Sequence, residues 1–216
     1  KFQIFNHNTL VNRKKSPERH KHFKRLELKI NQFIELAKIC KKNNKIFMAS
    51  VWDQKMLKKI NPYLQIHKVG SGDLTNFQIL SDLIKTKKPI IISTGLSTFS
   101  QIDKVIKFIK KKDISYITKK KIALLQCTSN YPNPNSEVNL ANINIFQKKY
   151  GLPVGFSDHT IGSLACEISY IMGAKIIEKH FTYNKKIKTF RDHQISMTRN
   201  DVEVFLNKIN EIDNII

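Results

Sequence analysis

Two short segments decide the fold of this chain: Leu152-Pro-Val-Gly-Phe-Ser-Asp-His-Thr160 and Lys175-Ile-Ile-Glu-Lys-His-Phe181. Each is a brief apolar run that ends in a polar cluster containing a histidine. Such a run predicts a buried parallel strand, and barrel enzymes keep their chemistry just past the C-terminal ends of such strands. Because neighbouring strands deliver their ends to the same rim, His159 and His180 can share one metal ion there.

The same alternation of strand and helix runs along the whole chain. Apolar runs predict strands at Phe2–Phe5, Lys45–Met48, Gln65–Val69, Pro89–Ile92, Ile122–Gln126, Pro153–Phe156 and Lys175–Ile177. Helical spacing of apolar residues predicts helices at Phe23–Cys40, Asn76–Ile84, Phe99–Ile109, Leu140–Tyr150, Ile161–Met172 and Asp201–Ile212, the last with Thr198 in its N-cap region. Strands that are each followed by a helix predict a parallel α/β fold.

The predicted strand count is one short of a (β/α)₈ barrel. We therefore expect residues 1–216 to form a TIM (β/α)₈-type barrel domain that lacks the first β/α unit, with an open doubly wound sheet as the alternative. No Gly-x-Gly-x-x-Gly motif follows the first strand, which disfavours a dinucleotide-binding sheet. Residues 6–22, rich in Asn, Lys and His, are predicted to form a rim loop in which His7, His20 and His22 are solvated.

Composition and charge narrow the classes of function. At 216 residues the chain can bury a full core, and no stretch approaches the roughly 20 apolar residues of a membrane span. The net charge of +21 comes from lysines spread over every predicted helix and loop, so we expect no nucleic-acid partner. Cys40, Cys127 and Cys166 are widely spaced, which predicts no disulfide framework and fits a cytoplasmic location; Cys127 is interpreted as a buried inert thiol.

Cationic and small polar residues recur where the predicted strands end. In chain order they are Lys1 and Gln3, Ser50 and Asp53, Lys68-Val-Gly-Ser-Gly-Asp73, Ser93-Thr-Gly95, Cys127-Thr-Ser-Asn-Tyr131, Ser157-Asp-His159 and Glu178-Lys-His180. Lysines, short hydroxyls and glycines are the groups that bind a phosphate or a carboxylate. Two imidazoles beside such groups suit a divalent ion such as Mn²⁺, Mg²⁺ or Zn²⁺. Asp158 and Glu178 are interpreted as acids that support this site or the fold.

These motifs, in this order, resemble the sialic acid synthase (N-acetylneuraminate synthase) family of phosphoenolpyruvate-dependent nonulosonate synthases. The resemblance covers essentially the whole chain and rests on Lys1-Phe-Gln3, Ala49-Ser-Val-Trp-Asp53, Lys68 to Asp73, Ser93-Thr-Gly95, Cys127-Thr-Ser-Asn-Tyr-Pro132, Gly155-Phe-Ser-Asp-His-Thr160, Glu178-Lys-His-Phe181 and Arg191-Asp-His193. It implies condensation of phosphoenolpyruvate with N-acetylmannosamine or a related N-acetylated amino sugar, giving a nonulosonic acid and phosphate. A legionaminic or pseudaminic acid synthase is the closest alternative, and a metal-dependent pyruvate aldolase is a more distant one.

The resemblance also implies roles for individual residues. His159 and His180 would hold the metal, for which the family favours Mn²⁺ over Mg²⁺ or Co²⁺. The predicted substrate-binding residues are Lys1, Gln3, Ser50, Ser71, Ser93, Ser129 and Ser157. The predicted catalytic residues are Lys68, Asp73, Tyr131 and Asp192, of which the last three, with Gln3, would face the sugar.

Some family features are expected to lie outside these residues. Members carry an acidic residue on a preceding strand and an arginine in a C-terminal antifreeze-like domain, and neither is found in this sequence. Ser129 stands where many members have asparagine, and Ser50 where many have threonine. We expect a homodimer for the full-length protein. The non-enzyme alternative is a truncated, inactive barrel that acts only as a binding domain.

Overall fold

The structure is a computed structural model that describes residues 1–187 and 190–216. Its centre is a sheet of seven parallel strands that lie side by side in sequence order. The strands are β1 (Phe2–Ile4), β2 (Met48–Val51), β3 (Ile66–Val69), β4 (Ile90–Ser93), β5 (Ile122–Cys127), β6 (Val154–Asp158) and β7 (Ile177–Lys179). Because every neighbouring pair is parallel, all the carboxyl ends meet at one edge.

Helices follow every strand. They are α1 (His7–Leu10), α2 (Pro17–Leu26), α3 (Ile30–Lys42), α4 (Gln54–Ile60), α5 (Phe77–Lys85), α6 (Phe99–Lys112), α7 (Ser115–Thr118), α8 (Ala141–Tyr150), α9 (Leu164–Ile171) and α10 (Arg199–Asp213). Thr98 and Thr198 begin α6 and α10 as N-caps, each in a capping box with the residue three positions on, so the predicted cap at Thr198 is confirmed. None of the helices in the described ranges has the length and apolarity to cross a membrane.

The predicted alternation of strand and helix is confirmed, and the strands form a TIM-type half-barrel. Their sequential order excludes the doubly wound sheet, which requires a reversal of strand order. The predicted rim loop at residues 6–22 is wrong, because α1 and the first half of α2 lie there. Asn6 caps α1 through its side chain, and Pro17 occupies the first turn of α2. His20 is buried on α2, 3.1 Å from Asn8 Oδ1, rather than solvated.

Two larger differences from the predicted elements lie in the first part of the chain. The helix predicted from Phe23 to Cys40 is two helices, because the extended residue Glu27 ends α2 and Lys29 begins α3 as its N-cap. The second strand begins at Met48, where its prediction ended.

Two apolar cores lie on opposite faces of the strands. The larger core joins strand residues such as Ile90 and Ile92 to helix residues such as Val105 and Ile109. The smaller core contains Ile91, Ala123 and Leu125, with Met48, Ile66 and Ile176 packed against it. Successive residues of β4 therefore alternate between the two cores. Burial on both faces explains why β4 and β5 begin as uninterrupted apolar runs in the sequence.

The half-barrel is open between β1 and β7 in the part of the chain that the structure describes. A cavity of about 730 Å³ lies there, with an apolar floor that includes Ile91 and Leu125 and a polar rim that includes Gln3. Lys1 Nζ lies 2.9 Å from Glu178 Oε2. Lys1 directly precedes β1, and Glu178 lies on β7. The sheet is therefore curved strongly enough for an ion pair to link its first and last strands.

Candidate active site at the carboxyl ends of the strands

Lys68 on β3 is the centre of a buried polar cluster. Its Nζ donates to Ser93 Oγ, at the end of β4, at 2.7 Å and to the Val69 carbonyl at 2.9 Å. Glu178 Oε1 lies 3.6 Å from the same nitrogen, and Ser157 on β6 donates to that carboxylate oxygen at 3.0 Å. Strands β3, β4, β6 and β7 therefore bring the predicted residues Lys68, Ser93 and Ser157 together around one carboxylate.

Burial and charge set the protonation of this cluster. Burial lowers the pKa of Lys68 to about 8, against the opposing effect of Glu178. Burial alone would raise the pKa of Glu178, but the charges of Lys68 and Lys1 outweigh it and hold that pKa at about 2. Two lysine cations thus face one carboxylate at neutral pH, and the excess of positive charge suits an anion.

Gly95 lies at the centre of a second group of polar atoms. A Cβ atom on Gly95 would lie 2.5 Å from Ser129 Oγ, 2.8 Å from Ser71 Oγ and 3.2 Å from Cys127 Sγ. The strand ends after β3, β4 and β5 therefore bring two predicted substrate-binding hydroxyls and a thiol to the backbone of one glycine. Backbone without a side chain lets the oxygen of an anion approach closely.

The two predicted metal ligands lie side by side after β6 and β7. The ring centroids of His159 and His180 are 5.4 Å apart. His159 Nδ1 lies 2.8 Å from the Thr128 carbonyl oxygen, which can only accept a hydrogen bond, so Nδ1 carries the proton and Nε2 the lone pair. His180 Nδ1 lies 3.5 Å from Asp192 Oδ2. An oxygen acceptor beside Nδ1 is what orients metal-binding histidines in proteins.

Both imidazoles are neutral at neutral pH, which is the form that binds a metal. Burial lowers the pKa of His159, and burial, together with the proximity of the His159 imidazole and the Lys1 cation, lowers the pKa of His180 to about 4. Among the described residues, no group of three or more His, Cys, Asp and Glu side chains is arranged to hold a metal. A metal held by the two histidines would therefore need water or substrate oxygens as its other ligands.

The predicted catalytic residues other than Lys68 lie beside the histidine pair or in the turn after β3. The Tyr131 ring lies 4.0 Å from the His159 ring and 6.0 Å from the His180 ring, measured between centroids. Asp192 lines the cavity and faces His180. Asp73 lies in the short turn after β3, where burial raises its pKa against the opposing effects of Trp52 and Lys68. Tyr131 and Asp192 thus belong with the histidine pair.

The remaining predicted residues lie on the first two strands. Gln3 and Ser50 are register partners on β1 and β2. Gln3 lines the cavity, and Ser50 is buried. Lys1 belongs to the Lys68 cluster through its contact with Glu178.

Two residues make contacts within the site that the sequence analysis does not predict, Glu178 and Cys127. Glu178 was interpreted as a supporting acid, yet it joins Lys68, Lys1 and Ser157. Glu178 lies on β7 two residues before His180, which directly follows the strand, so both line the same cavity, and this spacing is a signal that the sequence does contain. Cys127 is buried as predicted, but its Sγ lies 3.8 Å from His159 Nδ1 within the site. All three cysteines are free.

A parallel half-barrel whose carboxyl ends carry lysines, hydroxyls and paired histidines defines a TIM-type α/β protein with a polar, cationic rim. The chain belongs to the NeuB family, whose model matches residues 1–216. This confirms the family resemblance based on the motifs.

Named relatives and a solved structure agree with this membership. The chain is 33% identical over 189 residues to N,N'-diacetyllegionaminic acid synthase of Campylobacter jejuni, covering 87% of this chain and 55% of that protein. It is 32% identical over 180 residues to N-acetylneuraminate-9-phosphate synthase of Homo sapiens, covering 82% of this chain and 48% of that protein. The crystal structure of N-acetylneuraminic acid synthetase from Leptospira borgpetersenii, in complex with citrate, matches with a TM-score of 0.89 and 28% identity, covering 99% of this chain and 72% of that one. The chain spans about half the length of the two curated relatives.

Proposed function

We propose that this chain forms the catalytic barrel of a synthase that condenses phosphoenolpyruvate with an N-acetylated amino sugar, giving a nonulosonic acid and phosphate. The observation that carries the proposal is a pair of neutral imidazoles, His159 and His180, on the same strand ends as the buried Lys68 cluster. Lysines and hydroxyls suit a substrate that carries phosphate and carboxylate groups, and an imidazole pair suits metal-assisted carbonyl chemistry.

Phosphoenolpyruvate would bind through the lysines and the short hydroxyls. Lys68 and Lys1 supply two cations, of which Glu178 neutralises one, so a net positive charge remains for the ligand. The hydroxyls of Ser71 and Ser129, which lie close to Gly95, would donate to further oxygens of the ligand. We propose the same role for Ser50, Ser93 and Ser157.

His159 and His180 would hold a divalent cation through their Nε2 atoms, and we propose Mn²⁺, with Mg²⁺ or Co²⁺ as the other candidates. When bound, such a cation supplies a Lewis acid for the aldehyde of the open-chain sugar. The Thr128 carbonyl and Asp192 orient the two rings, and Tyr131 packs against both. The donor atoms are therefore held in place by the chain itself.

In the proposed reaction, C3 of phosphoenolpyruvate forms a bond with the aldehyde carbon of the sugar. As the C2–C3 double bond of phosphoenolpyruvate is consumed, a water oxygen adds at C2. One water proton completes the new sugar hydroxyl, the other leaves with the phosphate, and the bond between C2 and the phosphate ester oxygen breaks to leave a 2-keto acid. The residues align the two reactants and stabilise charge with fixed cations and dipoles. With a pKa of about 8, Lys68 keeps its proton at neutral pH and remains a cation for the phosphate that leaves. Gln3 and Asp73 would face the sugar.

We further propose that an eighth strand closes the barrel between β1 and β7. The cavity of about 730 Å³ at that place supports this, and unpaired strand edges beside an apolar core are unfavourable. We propose that this eighth strand, a C-terminal domain and a homodimeric assembly belong to the full-length protein.

The identity of the acceptor sugar distinguishes the candidate activities within the family, which are the synthesis of a sialic-type, legionaminic or pseudaminic acid. N-acetylmannosamine or its 6-phosphate would give a sialic-type acid, since three carbons come from phosphoenolpyruvate and sugar C6 becomes C9. A diacetamido sugar would give legionaminic or pseudaminic acid.

Phosphate release tests the proposal. The full-length gene product and the 216-residue chain are each given phosphoenolpyruvate, Mn²⁺ and the acceptor sugars named above. We expect metal-dependent release with at least one acceptor, loss of release in His159→Ala and His180→Ala, and retained release in His20→Ala, a matched change at a buried histidine on α2. A full-length protein that releases no phosphate with any acceptor refutes the synthase. Activity with pyruvate in place of phosphoenolpyruvate would favour the aldolase.

A further inference from the structure

A buried ion pair joins the two strand ends that carry the histidines. Asp158 on β6 and Lys179 on β7 are register partners, and Lys179 Nζ lies 2.5 Å from Asp158 Oδ2. The exposed fraction of the side chain is 0% for Asp158 and 7% for Lys179. Removing both charges from water is costly, so such a pair persists only where further hydrogen bonds satisfy it.

Those further hydrogen bonds run through Thr160. Asp158 Oδ1 accepts from the Thr160 amide at 2.8 Å, and Oδ2 accepts from the Thr160 hydroxyl at 3.1 Å and from the Cys166 thiol at 3.3 Å. Lys179 Nζ donates to the Thr160 carbonyl at 2.6 Å. Lys179 therefore contacts the residue before His159 and the residue after it.

The pair lies on the face of the strands that points away from the candidate active site. One position earlier, the register partners Ser157 and Glu178 meet on the inner face of the half-barrel. Because side chains alternate along a strand, Asp158 and Lys179 point to the outer face, where Cys166 of α9 contacts Asp158. Asp158 and Lys179 also act on the pKa of His159 and of His180 through their charges, but they can set the positions of the two rings only through the backbone.

We infer that the Asp158–Lys179 pair positions the metal site by fixing the spacing and direction of β6 and β7 where they deliver His159 and His180. The inference rests on the proposed metal function of the two histidines. A shared metal needs both Nε2 atoms within bonding distance of one point, which leaves little freedom between the strand ends. Stability alone does not account for the pair, since apolar replacements of buried ion pairs are often neutral or stabilising.

The test measures the Mn²⁺ affinity of the full-length protein, from the electron paramagnetic resonance signal of free Mn²⁺, together with urea unfolding without metal. Lys179→Met removes the ammonium and keeps most of the stem, and we expect it to weaken Mn²⁺ binding about 10- to 100-fold. In the double variant Asp158→Asn/Lys179→Met, Mn²⁺ binding should weaken by a smaller factor than the product of the factors for the two single variants, because the two residues act as a unit. Tyr116→Phe, which removes a buried hydroxyl 2.8 Å from the Lys88 carbonyl, is the control that lowers stability without changing Mn²⁺ affinity.

A second readout does not require metal. Long-range ¹H–¹⁵N spectra of the metal-free protein report the tautomer of each histidine, and we expect Nδ1–H for His159 and His180 in the wild type and mixed tautomers in Lys179→Met. If the wild type binds no Mn²⁺ but Lys179→Met mixes the tautomers, the metal function is refuted and the positioning role stands. If Lys179→Met keeps both the wild-type affinity and the wild-type tautomers, the positioning role is wrong. Should Lys179→Met fail to fold, Lys179→Gln, which keeps a donor for the Thr160 carbonyl, takes its place.

Discussion

Replacing Glu178 with glutamine removes a carboxylate that Lys1, Lys68 and Ser157 share. Removing one partner of a buried ion pair costs about 3–5 kcal/mol, because the other charge stays buried. The exposed side-chain fraction is 18% for Glu178 and 25% for Lys1, so water screens part of the effect. We therefore expect the lower end, a loss of about 3 kcal/mol in the free energy of unfolding. With a urea slope of about 3 kcal/mol per molar, the unfolding midpoint falls by about 1 M.

The matched control for this prediction is Glu203→Gln on α10. Glu203 Oε1 lies 2.9 Å from Arg199 Nε, but its side chain is 57% exposed, so this change should cost less than about 1 kcal/mol. Inorganic phosphate provides a second measurement. Without the Glu178 carboxylate, Lys68 and Lys1 can bind phosphate, which should raise the urea midpoint of Glu178→Gln more than that of the wild type. Equal midpoints for the two variants, or an equal response to phosphate, would refute the account of the Lys68 cluster.

Two other changes test separate features. Gly95→Ala places a Cβ atom within 3.2 Å of three side-chain atoms. Overpacking of this kind costs about 1–3 kcal/mol. Because the displaced side chains belong to the proposed phosphoenolpyruvate site, kcat/KM for phosphoenolpyruvate should fall about tenfold or more. Gly70→Ala, whose Cβ would meet no atom within 4 Å, should leave kcat/KM unchanged, and an equal loss in both variants would contradict the role of Gly95. Hydrogen bonds from Lys185 and Thr198 lower the pKa of Asp201 from 3.8 to about 2, so its contribution to stability is present above about pH 4 and disappears as the pH falls to 2. Urea unfolding should therefore separate Asp201→Asn from the wild type at pH 7 but not near pH 2, and a difference that does not change with pH would disprove this.

The strand ends were predictable because their residues obey a local rule. In β6, apolar residues buried on both faces stop where polar residues begin, and the half-buried apolar run of β7 stops in the same way, so the sequence marks the rim directly. The first half of α2 is not predicted, because Pro17-Glu-Arg-His-Lys-His22 is polar and cationic and shows no apolar spacing. Pro17 was the available signal, since proline is favoured in the first turn of a helix.

The contacts between distant strands were not predictable in the same way. Lys1 and Glu178 lie at opposite ends of the strand order, and their ion pair exists only because the strand layer curls. The link between Lys179 and Thr160 likewise depends on the register of β6 and β7, which no local pattern in the sequence specifies.

The central claim is that His159 and His180 hold one metal ion beside the Lys68 cluster. Anomalous diffraction from crystals of the full-length protein grown with Mn²⁺ tests it most directly. We predict one Mn²⁺ peak within bonding distance of Nε2 of both histidines, with Nδ1 of His159 still donating to the Thr128 carbonyl. A peak bound to only one of these histidines, a peak bound through Nδ1, or no peak between the two rings would contradict the account.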